Sequence, residues 1–178
     1  MAKFYNMDLL EKKISTQKIY DGKILSLRKD EVELPNGTTS FREIVSHSGG
    51  SAILCVDDGK VLLVKQFRYV YDTCIWEIPA GKLNPNEDPK ETARRELEEE
   101  CGIVANKLDL ISTVYPSPGY TDEIIKIYRA YDLMQGKTNF DEDENLISKW
   151  FDIGEALNMI KNGEIKDAKT IIALLTLK

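Results

Sequence analysis

A fixed spacing of glycine, arginine and glutamate residues runs from Gly81 to Ile103 and constrains the fold more than any other feature of the chain. Glu87 follows Gly81 after five residues, and seven more lead to Arg95, which opens the run Arg-Glu-Leu-Glu-Glu-Glu-Cys-Gly-Ile. Charged residues and good helix formers dominate the second half of this stretch. The spacing therefore predicts a loop followed by a helix.

The ends of that helix carry recognisable signals. Asp88 before Pro89 is typical of an N-cap followed by proline at the first helical position. Residues 90–101 contain no glycine, and Gly102 is typical of a residue that ends a helix. We expect Gly81 to let the chain turn sharply out of the preceding strand.

The glutamates of this helix form a cluster. Glu96 and Glu100 are four residues apart and share a face, and Glu99 lies three residues from Glu96. Carboxylates gathered in this way are the hard oxygen ligands that Mg²⁺ or Mn²⁺ prefers. Arg95 is placed to reach Glu99 or the preceding loop and to hold a carboxylate in place. The alternative is a solvated, glutamate-rich surface helix, but the full spacing with both glycines favours a metal site.

The complete spacing resembles the Nudix box, so the chain resembles a Nudix hydrolase. The resemblance implies an α/β fold, an α/β/α sandwich with a mixed sheet. It also implies hydrolysis of a phosphoanhydride that joins two groups, with two or more Mg²⁺ ions, or possible Mn²⁺ ions, as cofactors. The implied metal ligands are the Ala80 carbonyl, Glu96, Glu99 and Glu100.

The chain divides into two parts along its length. Residues 1–48 are predicted to form a β-rich appendage, with a short helix at residues 7–13, and the resemblance implies that this appendage serves dimerisation and substrate binding. Asp21-Gly22 and Asn36-Gly37 are turn signals between its strands. Residues 49–178 are predicted to form the hydrolase domain, with late helices at residues 153–161 and 168–177.

Composition excludes several classes of protein. The net charge is -6 over 178 residues and there is no basic run, which argues against nucleic acid as a partner. The three cysteines lack CxxC spacing, which favours a reducing compartment. The chain shows neither a signal-peptide pattern nor an apolar run long enough to cross a membrane. We therefore expect a cytoplasmic protein.

A second resemblance concerns the substrate. Ser117-Pro118-Gly119 lies shortly after the box and resembles the ADP-ribose pyrophosphatase branch of the Nudix family. The segments Val64–Arg68, Asp141–Glu144 and Asp167–Thr170 point the same way. The resemblance implies hydrolysis of ADP-ribose to AMP and ribose 5-phosphate, with the backbone of Gly119 close to the terminal ribose. The alternative for the proline and glycine residues is an ordinary rigid loop.

The resemblance also implies that a glutamate in the acidic loop acts as the base. Glu144 matches that place best, and Glu142 is the second candidate. His47 is the one histidine of the chain and is predicted to be structural, which leaves a carboxylate or metal-bound hydroxide as the base. Arg68 is a candidate phosphate clamp because a guanidinium fork suits phosphate oxygens. The alternative is a surface arginine at the end of a strand.

Adenine recognition is assigned by the same resemblance to the N-terminal appendage, which is exchanged across a homodimer in similar proteins. Ile24, Arg42 and Glu43 occupy the matching positions. Arg42 is a candidate to stack on adenine through its guanidinium, and Glu43 to accept a hydrogen bond from the adenine amino group. Strand packing and surface polarity remain the alternative for all three.

Two other functions are compatible with the sequence. The first is the same reaction on another nucleoside diphosphate sugar, such as an ADP- or GDP-hexose. The second is a non-catalytic Nudix module that binds a nucleotide. Such modules would be expected to have lost carboxylates of the box, whereas this chain keeps all of them.

Overall fold

The computed structural model describes residues 9–140 and 145–178. The strands within these residues are β1 Lys12–Asp21, β2 Leu25–Glu33, β3 Thr39–His47, β4 Gly50–Asp57, β5 Lys60–Arg68, β6 Thr73–Glu77, β7 Ala80–Lys82, β8 Ile103–Val114, β9 Ile125–Gln135 and β10 Leu146–Asp152. The α-helices are α1 Pro89–Cys101, α2 Ile153–Lys161 and α3 Ala168–Leu175, and one turn of 3-10 helix spans Tyr69–Tyr71. None of the helices in this part of the chain is both long and apolar enough to cross a membrane.

These elements form two compact units. One comprises the described residues up to Ser48 together with Ser117–Glu123. The other comprises Gly49–Pro116 and Ile124–Lys178. The loop that follows β8 therefore belongs with the N-terminal strands.

The N-terminal unit contains a three-stranded antiparallel sheet in the order β1-β2-β3. Its two turns lie at the predicted Asp-Gly and Asn-Gly positions. Gly37 has a positive φ of 82°, a conformation that suits glycine. The predicted helix at residues 7–13 is wrong at its end, because Lys12 and Lys13 already pair with Glu33 and Val32 of β2. Residues 7 and 8 of that prediction lie outside the described residues.

The second unit contains a mixed sheet, as predicted. Its main order is β10-β5-β4-β9-β8, with β4 and β9 parallel and the other pairs antiparallel. β4 and β5 pair only beside their turn, through Val56 with Val61 and Asp57 with Lys60. Farther along, β6 pairs with β5 and β7 pairs with β4. The segment between β6 and β7 therefore crosses from one strand to the other.

Alternate side chains of β4 pack on opposite faces of this sheet. Ile53 belongs to a buried cluster that includes Leu97 of α1. Leu54 belongs to a second cluster that includes Ala156 of α2 and Leu174 of α3. The helices thus cover both faces, which confirms the α/β/α arrangement. Each fully buried leucine contributes about 1.5–3 kcal/mol to the packing.

Helix α1 begins and ends where its sequence predicts. The Asp88 side chain accepts a hydrogen bond of 2.7 Å from the Lys90 backbone N–H, and Pro89 occupies the first helical position. Both features are favourable at a helix N-terminus. Gly102 ends the helix with φ of 64°, and its N–H donates to the Glu98 carbonyl at 2.7 Å, as is common at a helix C-terminus. These caps fix the helix that carries the glutamate cluster.

Candidate active site

The segment that crosses from β6 to β7 is held by hydrogen bonds on both sides. The Ile53 N–H of β4 donates to the Pro79 carbonyl at 2.8 Å. The Ile78 N–H donates to Thr170 Oγ1 of α3, also at 2.8 Å. These bonds fix the backbone that leads directly into Ala80.

Ala80 and Gly81 lie against the glutamates of α1. The Ala80 N–H donates to Glu100 Oε2 at 3.1 Å. Glu96 and Glu100 are buried, with 7% and 1% of their surface exposed. A Cβ atom on Gly81 would lie 1.8 Å from Glu96 Oε1. The close approach of this carboxylate therefore explains the glycine. The predicted sharp turn at Gly81 is wrong, because the residue lies within β7 and does not have a positive φ.

Arg95 links three glutamates. Its Nε and Nη2 donate to Glu87 at 3.0 and 3.2 Å, so it holds the loop that precedes α1. Its Nη1 lies 2.7 Å from Glu99 Oε2 and 2.8 Å from Glu96 Oε1. Hydrogen bonding from Arg95 lowers the pKa of Glu87 to about 2, and the same bonds raise the pKa of Arg95, because each partner stabilises the charged form of the other. The sequence predicted that Arg95 contacts either Glu99 or the loop before α1. The structure contains both contacts, the one in the loop being to Glu87.

The donor set suits a hard divalent cation. Glu96, Glu99 and Glu100 supply carboxylate oxygens from one helix, and the Ala80 backbone lies beside them. Gly81 leaves the space that the Glu96 carboxylate occupies. Between residues 9 and 140 and from residue 145 onward, no three Asp, Glu, His or Cys side chains already converge as a metal site. Arg95 contacts one carboxylate oxygen of each of two predicted ligands, Glu96 Oε1 and Glu99 Oε2.

An open cleft of about 590 Å³ runs along α1 on the side of Arg95 and Glu99. Lys137 and Asn139 line its other side, and the Asn139 N–H donates to the Glu99 carbonyl at 3.0 Å. This hydrogen bond links the segment before residue 141 to α1. The two candidate bases, Glu142 and Glu144, lie outside the described residues, so their roles stay predictions.

Arg68 lies at the end of β5 and forms a bidentate ion pair with Glu77. Its Nε and Nη2 lie 2.6 and 2.7 Å from the two carboxylate oxygens. These bonds raise the pKa of Arg68, and attraction from Asp167 and Glu100 acts in the same direction. Arg68 therefore forms a specific ion pair at the end of its strand, with 40% of its side chain exposed.

Glu77 is the centre of a cluster that sequence reasoning missed. Glu77 is 1% exposed and Lys169 is 9% exposed. Lys169 Nζ donates to Glu77 Oε2 and lies 3.0 Å from Asp167 Oδ1. Burial acts to raise the pKa of Glu77, but the bonds and charges of Arg68 and Lys169 outweigh it and lower that pKa. The spacing of Asp167 and Thr170 is a recognisable N-cap signal, but nothing local points to Glu77 as a partner.

The predicted adenine residues lie in the N-terminal unit. Ile24 lies between β1 and β2 and is 55% exposed. Arg42 and Glu43 are successive residues of β3, so their side chains point to opposite faces of the sheet. Arg42 Nε donates to Glu11 at 2.9 Å. The structure therefore does not bring Arg42 and Glu43 to one face of their strand.

The loop that carries Gly119 is fastened to β3. The Val45 N–H donates to the Tyr120 carbonyl at 2.7 Å, and the Asp122 N–H donates to the Val45 carbonyl at 3.1 Å. Ser46 Oγ donates to Asp122 Oδ2 at 2.8 Å. Gly119 has no positive φ, and a Cβ atom there would meet nothing within 4 Å. The fold of the chain therefore does not require glycine at this position.

Two known families cover nearly all of the chain. Residues 46–174 match the NUDIX domain. Residues 11–45 match the nucleoside diphosphate sugar hydrolase N-terminal domain. The boundary between the matches lies near the end of β3.

Individual relatives agree with these families. An ADP-ribose pyrophosphatase of Bacillus subtilis (strain 168) is 46% identical over 93% of this chain and 91% of its own length. A methanol dehydrogenase activator of Bacillus methanolicus is 43% identical over 92% of this chain and 90% of its own. A crystal structure described as an ADP compounds hydrolase has a TM-score of 0.83 at 20% identity, covering 94% of this chain and 91% of that one, and shows the same fold. Relatives of nearly equal identity carry different names, so the substrate has to be argued from the site.

Proposed function

This chain belongs to the Nudix hydrolase family, and we propose that it hydrolyses the diphosphate of ADP-ribose to AMP and ribose 5-phosphate. The main structural support for hydrolase activity is the position of Glu96 and Glu100, which are buried beside the backbone of Ala80 and Gly81. The choice of ADP-ribose is supported by the Bacillus subtilis relative and by the serine-proline-glycine loop at residues 117–119.

Members of the family generally depend on divalent metal ions. For this chain we assign two or more Mg²⁺ ions, with Mn²⁺ as a possible substitute, to Glu96, Glu99, Glu100 and the Ala80 carbonyl. When bound, such ions neutralise diphosphate charge and lower the pKa of a water molecule.

The residues of the chain have separate tasks in this proposal. Arg95 orients Glu96 and Glu99 through its Nη1 contacts. Glu87 holds the guanidinium by accepting hydrogen bonds from its Nε and Nη2. Arg68, held by Glu77 through Nε and Nη2, presents Nη1 to a phosphate oxygen. Glu144, or in its place Glu142, accepts a proton from the attacking water.

Recognition of the two ends of the substrate is assigned to the N-terminal unit. The backbone of Gly119 approaches the terminal ribose, which would explain a glycine that the fold does not require. Ile24, Arg42 and Glu43 contribute to adenine binding within a homodimer. Light scattering on a size-exclusion column tests the dimer, because a monomer at working concentration would contradict this part of the proposal.

The first experiment is a substrate panel. Purified protein is incubated with ADP-ribose, ADP-hexoses and GDP-hexoses, each with Mg²⁺ and with EDTA, and the products are separated by chromatography. AMP and ribose 5-phosphate released selectively from ADP-ribose, and only with metal, would support the proposal. Faster turnover of a hexose derivative would keep the catalytic centre and replace the substrate. Nucleotide binding without turnover would indicate a non-catalytic module.

A further inference from the structure

We infer that Lys169 is a positioning residue for phosphate binding, because it shares the Glu77 carboxylate with Arg68 and so fixes the guanidinium of Arg68. The inference rests on the proposed function, in which Arg68 binds the diphosphate. It assigns a role to a buried lysine on the C-terminal helix, ninety-two residues along the chain from Glu77.

The first support is the burial of both charged partners. A lysine ammonium or a glutamate carboxylate removed from water costs several kcal/mol unless it is paired and hydrogen-bonded. Lys169 Nζ meets this need through Glu77 and Asp167, and Glu77 meets it through Lys169 and Arg68. The position of Arg68 therefore depends on a carboxylate that is itself held by Lys169.

The second support is the count of charges. Arg68 and Lys169 supply two positive charges, and Glu77 and Asp167 supply two negative ones. Without Lys169, the guanidinium of Arg68 would be the remaining positive charge of this cluster against two carboxylates. Attraction toward Glu77 and Asp167 would then compete with the attraction of Arg68 for a phosphate.

The third support is a parallel backbone link. Thr170, the next residue after Lys169, accepts a hydrogen bond from the Ile78 N–H at 2.8 Å. The Asp167 carboxylate accepts from the Thr170 N–H at 2.9 Å and so caps α3. The start of α3 therefore holds Glu77 by its side chain and Ile78 by its backbone.

A purely structural role for Lys169 makes different predictions. If Lys169 only fastened α3 to the sheet, its loss would lower the melting temperature but leave KM and kcat of the folded enzyme unchanged. A positioning role raises KM and weakens substrate binding in the folded enzyme, and it does so only while Arg68 is present.

The test uses the full-length Lys169→Met variant, which keeps the apolar stem and removes the charge. Lys166→Met is the matched control, because it removes the same charge from an exposed residue directly before Asp167. KM and kcat are measured with ADP-ribose and Mg²⁺ below the melting temperature. Binding of ADP-ribose in EDTA is measured by calorimetry, which needs neither metal nor turnover.

We expect Lys169→Met to raise KM and the metal-free Kd by about tenfold, the size of effect typical of residues that orient a binding group. Lys166→Met should match the wild type. In an Arg68→Ala background, Lys169→Met should have no additional effect on Kd, because the group that it positions is gone. An unchanged Kd in Lys169→Met, or the same tenfold loss in the Arg68→Ala background, would overturn the inference.

Three further outcomes have fixed meanings. If Lys169→Met does not fold, Lys169→Gln replaces it, since an amide still donates a hydrogen bond to Glu77 without the charge, and the same criteria apply. If the wild type itself does not hydrolyse ADP-ribose, the proposed function fails. If the wild type is active and the variants bind ADP-ribose like the wild type, only the role of Lys169 fails.

Discussion

Two clusters of charged side chains lie in the same unit and differ in their balance of charge. The cluster at the start and face of α1 contains four carboxylates and one guanidinium: Glu87, Glu96, Glu99, Glu100 and Arg95. The cluster around Glu77 contains two carboxylates and two cations: Glu77, Asp167, Arg68 and Lys169.

The difference indicates what each cluster is built to do. A buried group of charges is tolerated when each charge is paired, and the Glu77 cluster meets that condition within the protein. The α1 cluster contains four carboxylates and one arginine, and carboxylates held together repel one another. A divalent cation bound among these carboxylates would offset that repulsion. The balanced cluster thus holds its own members in place, including Arg68, the proposed phosphate ligand, whereas the α1 cluster is suited to bind a cation.

The largest expected effect comes from removing a carboxylate of the α1 cluster. Glu100→Gln or Glu96→Gln should reduce turnover by more than about a hundredfold while the fold is kept, because each removes a proposed metal ligand. Mn²⁺ binding measured by electron paramagnetic resonance should weaken in parallel. Glu91→Gln, on an exposed position of the same helix, is the control. A near wild-type rate in either ligand variant would show that the metal ligands are assigned wrongly.

The next effect tests the space that the fold leaves for a carboxylate. Gly81→Ala would place a methyl group 1.8 Å from the present position of Glu96 Oε1, so the glutamate side chain has to move. Because a displacement of about 1 Å can cost a hundredfold in rate, we expect turnover to fall by about ten- to a hundredfold. Gly154→Ala is the matched control, since a Cβ atom there meets nothing within 4 Å. Equal activity of both variants would contradict the placement of Glu96.

Much of the fold could be predicted because its signals are local. Asp88, Pro89 and Gly102 define the ends of α1, and the predicted range of α2, Ile153–Lys161, is the observed one. Strand β8 begins at Ile103, because the chain enters the sheet directly after the helix cap at Gly102. The ends of these helices could be predicted because single residues near caps and turns determine them.

The contacts of the candidate site likewise divide into those that local sequence predicts and those that it does not. Two partners of Arg95 were predictable, because Glu99 is one helical turn away and Glu87 lies in the preceding loop. The contact of Arg95 with Glu96 was not predicted. The pair of Glu77 and Lys169 was not predictable, because it depends on how α3 packs against β6. Neither residue has a neighbour in sequence that signals a buried ion pair. Contacts of this kind follow from tertiary packing and appear only once the elements are assembled.

A smaller effect concerns the backbone link of the balanced cluster. Thr170→Val keeps the shape of the side chain but leaves the Ile78 N–H without its hydrogen-bond acceptor. An unsatisfied buried donor costs about 1–3 kcal/mol, so the free energy of unfolding should fall by that amount in urea titrations. Thr170→Ser restores the hydroxyl and should recover most of the loss. A Thr170→Val protein as stable as the wild type would mean that this bond does not hold the segment.

The smallest expected effect concerns Glu87, the carboxylate of the α1 cluster that accepts two hydrogen bonds from Arg95. Folding lowers the pKa of Glu87 from 4.5 to about 2, so its ionised form stabilises the protein. That contribution is complete above about pH 4.5 and is lost as the pH falls through about 2. Because Glu87 and Arg95 are partly exposed, Glu87→Gln should cost only about 1 kcal/mol at neutral pH.

The pH dependence distinguishes this pair from a general loss of stability. The difference in unfolding free energy between wild type and Glu87→Gln should shrink as the pH is lowered from 4.5 toward 2. Glu91→Gln, whose carboxylate lies 3.4 Å from Arg94 at an exposed site, is the control for the loss of one negative charge near the start of α1. A difference for Glu87→Gln that stays constant across this range would mean that its charge is not what holds Arg95. Arg95 would then owe its position to its contacts with Glu96 and Glu99.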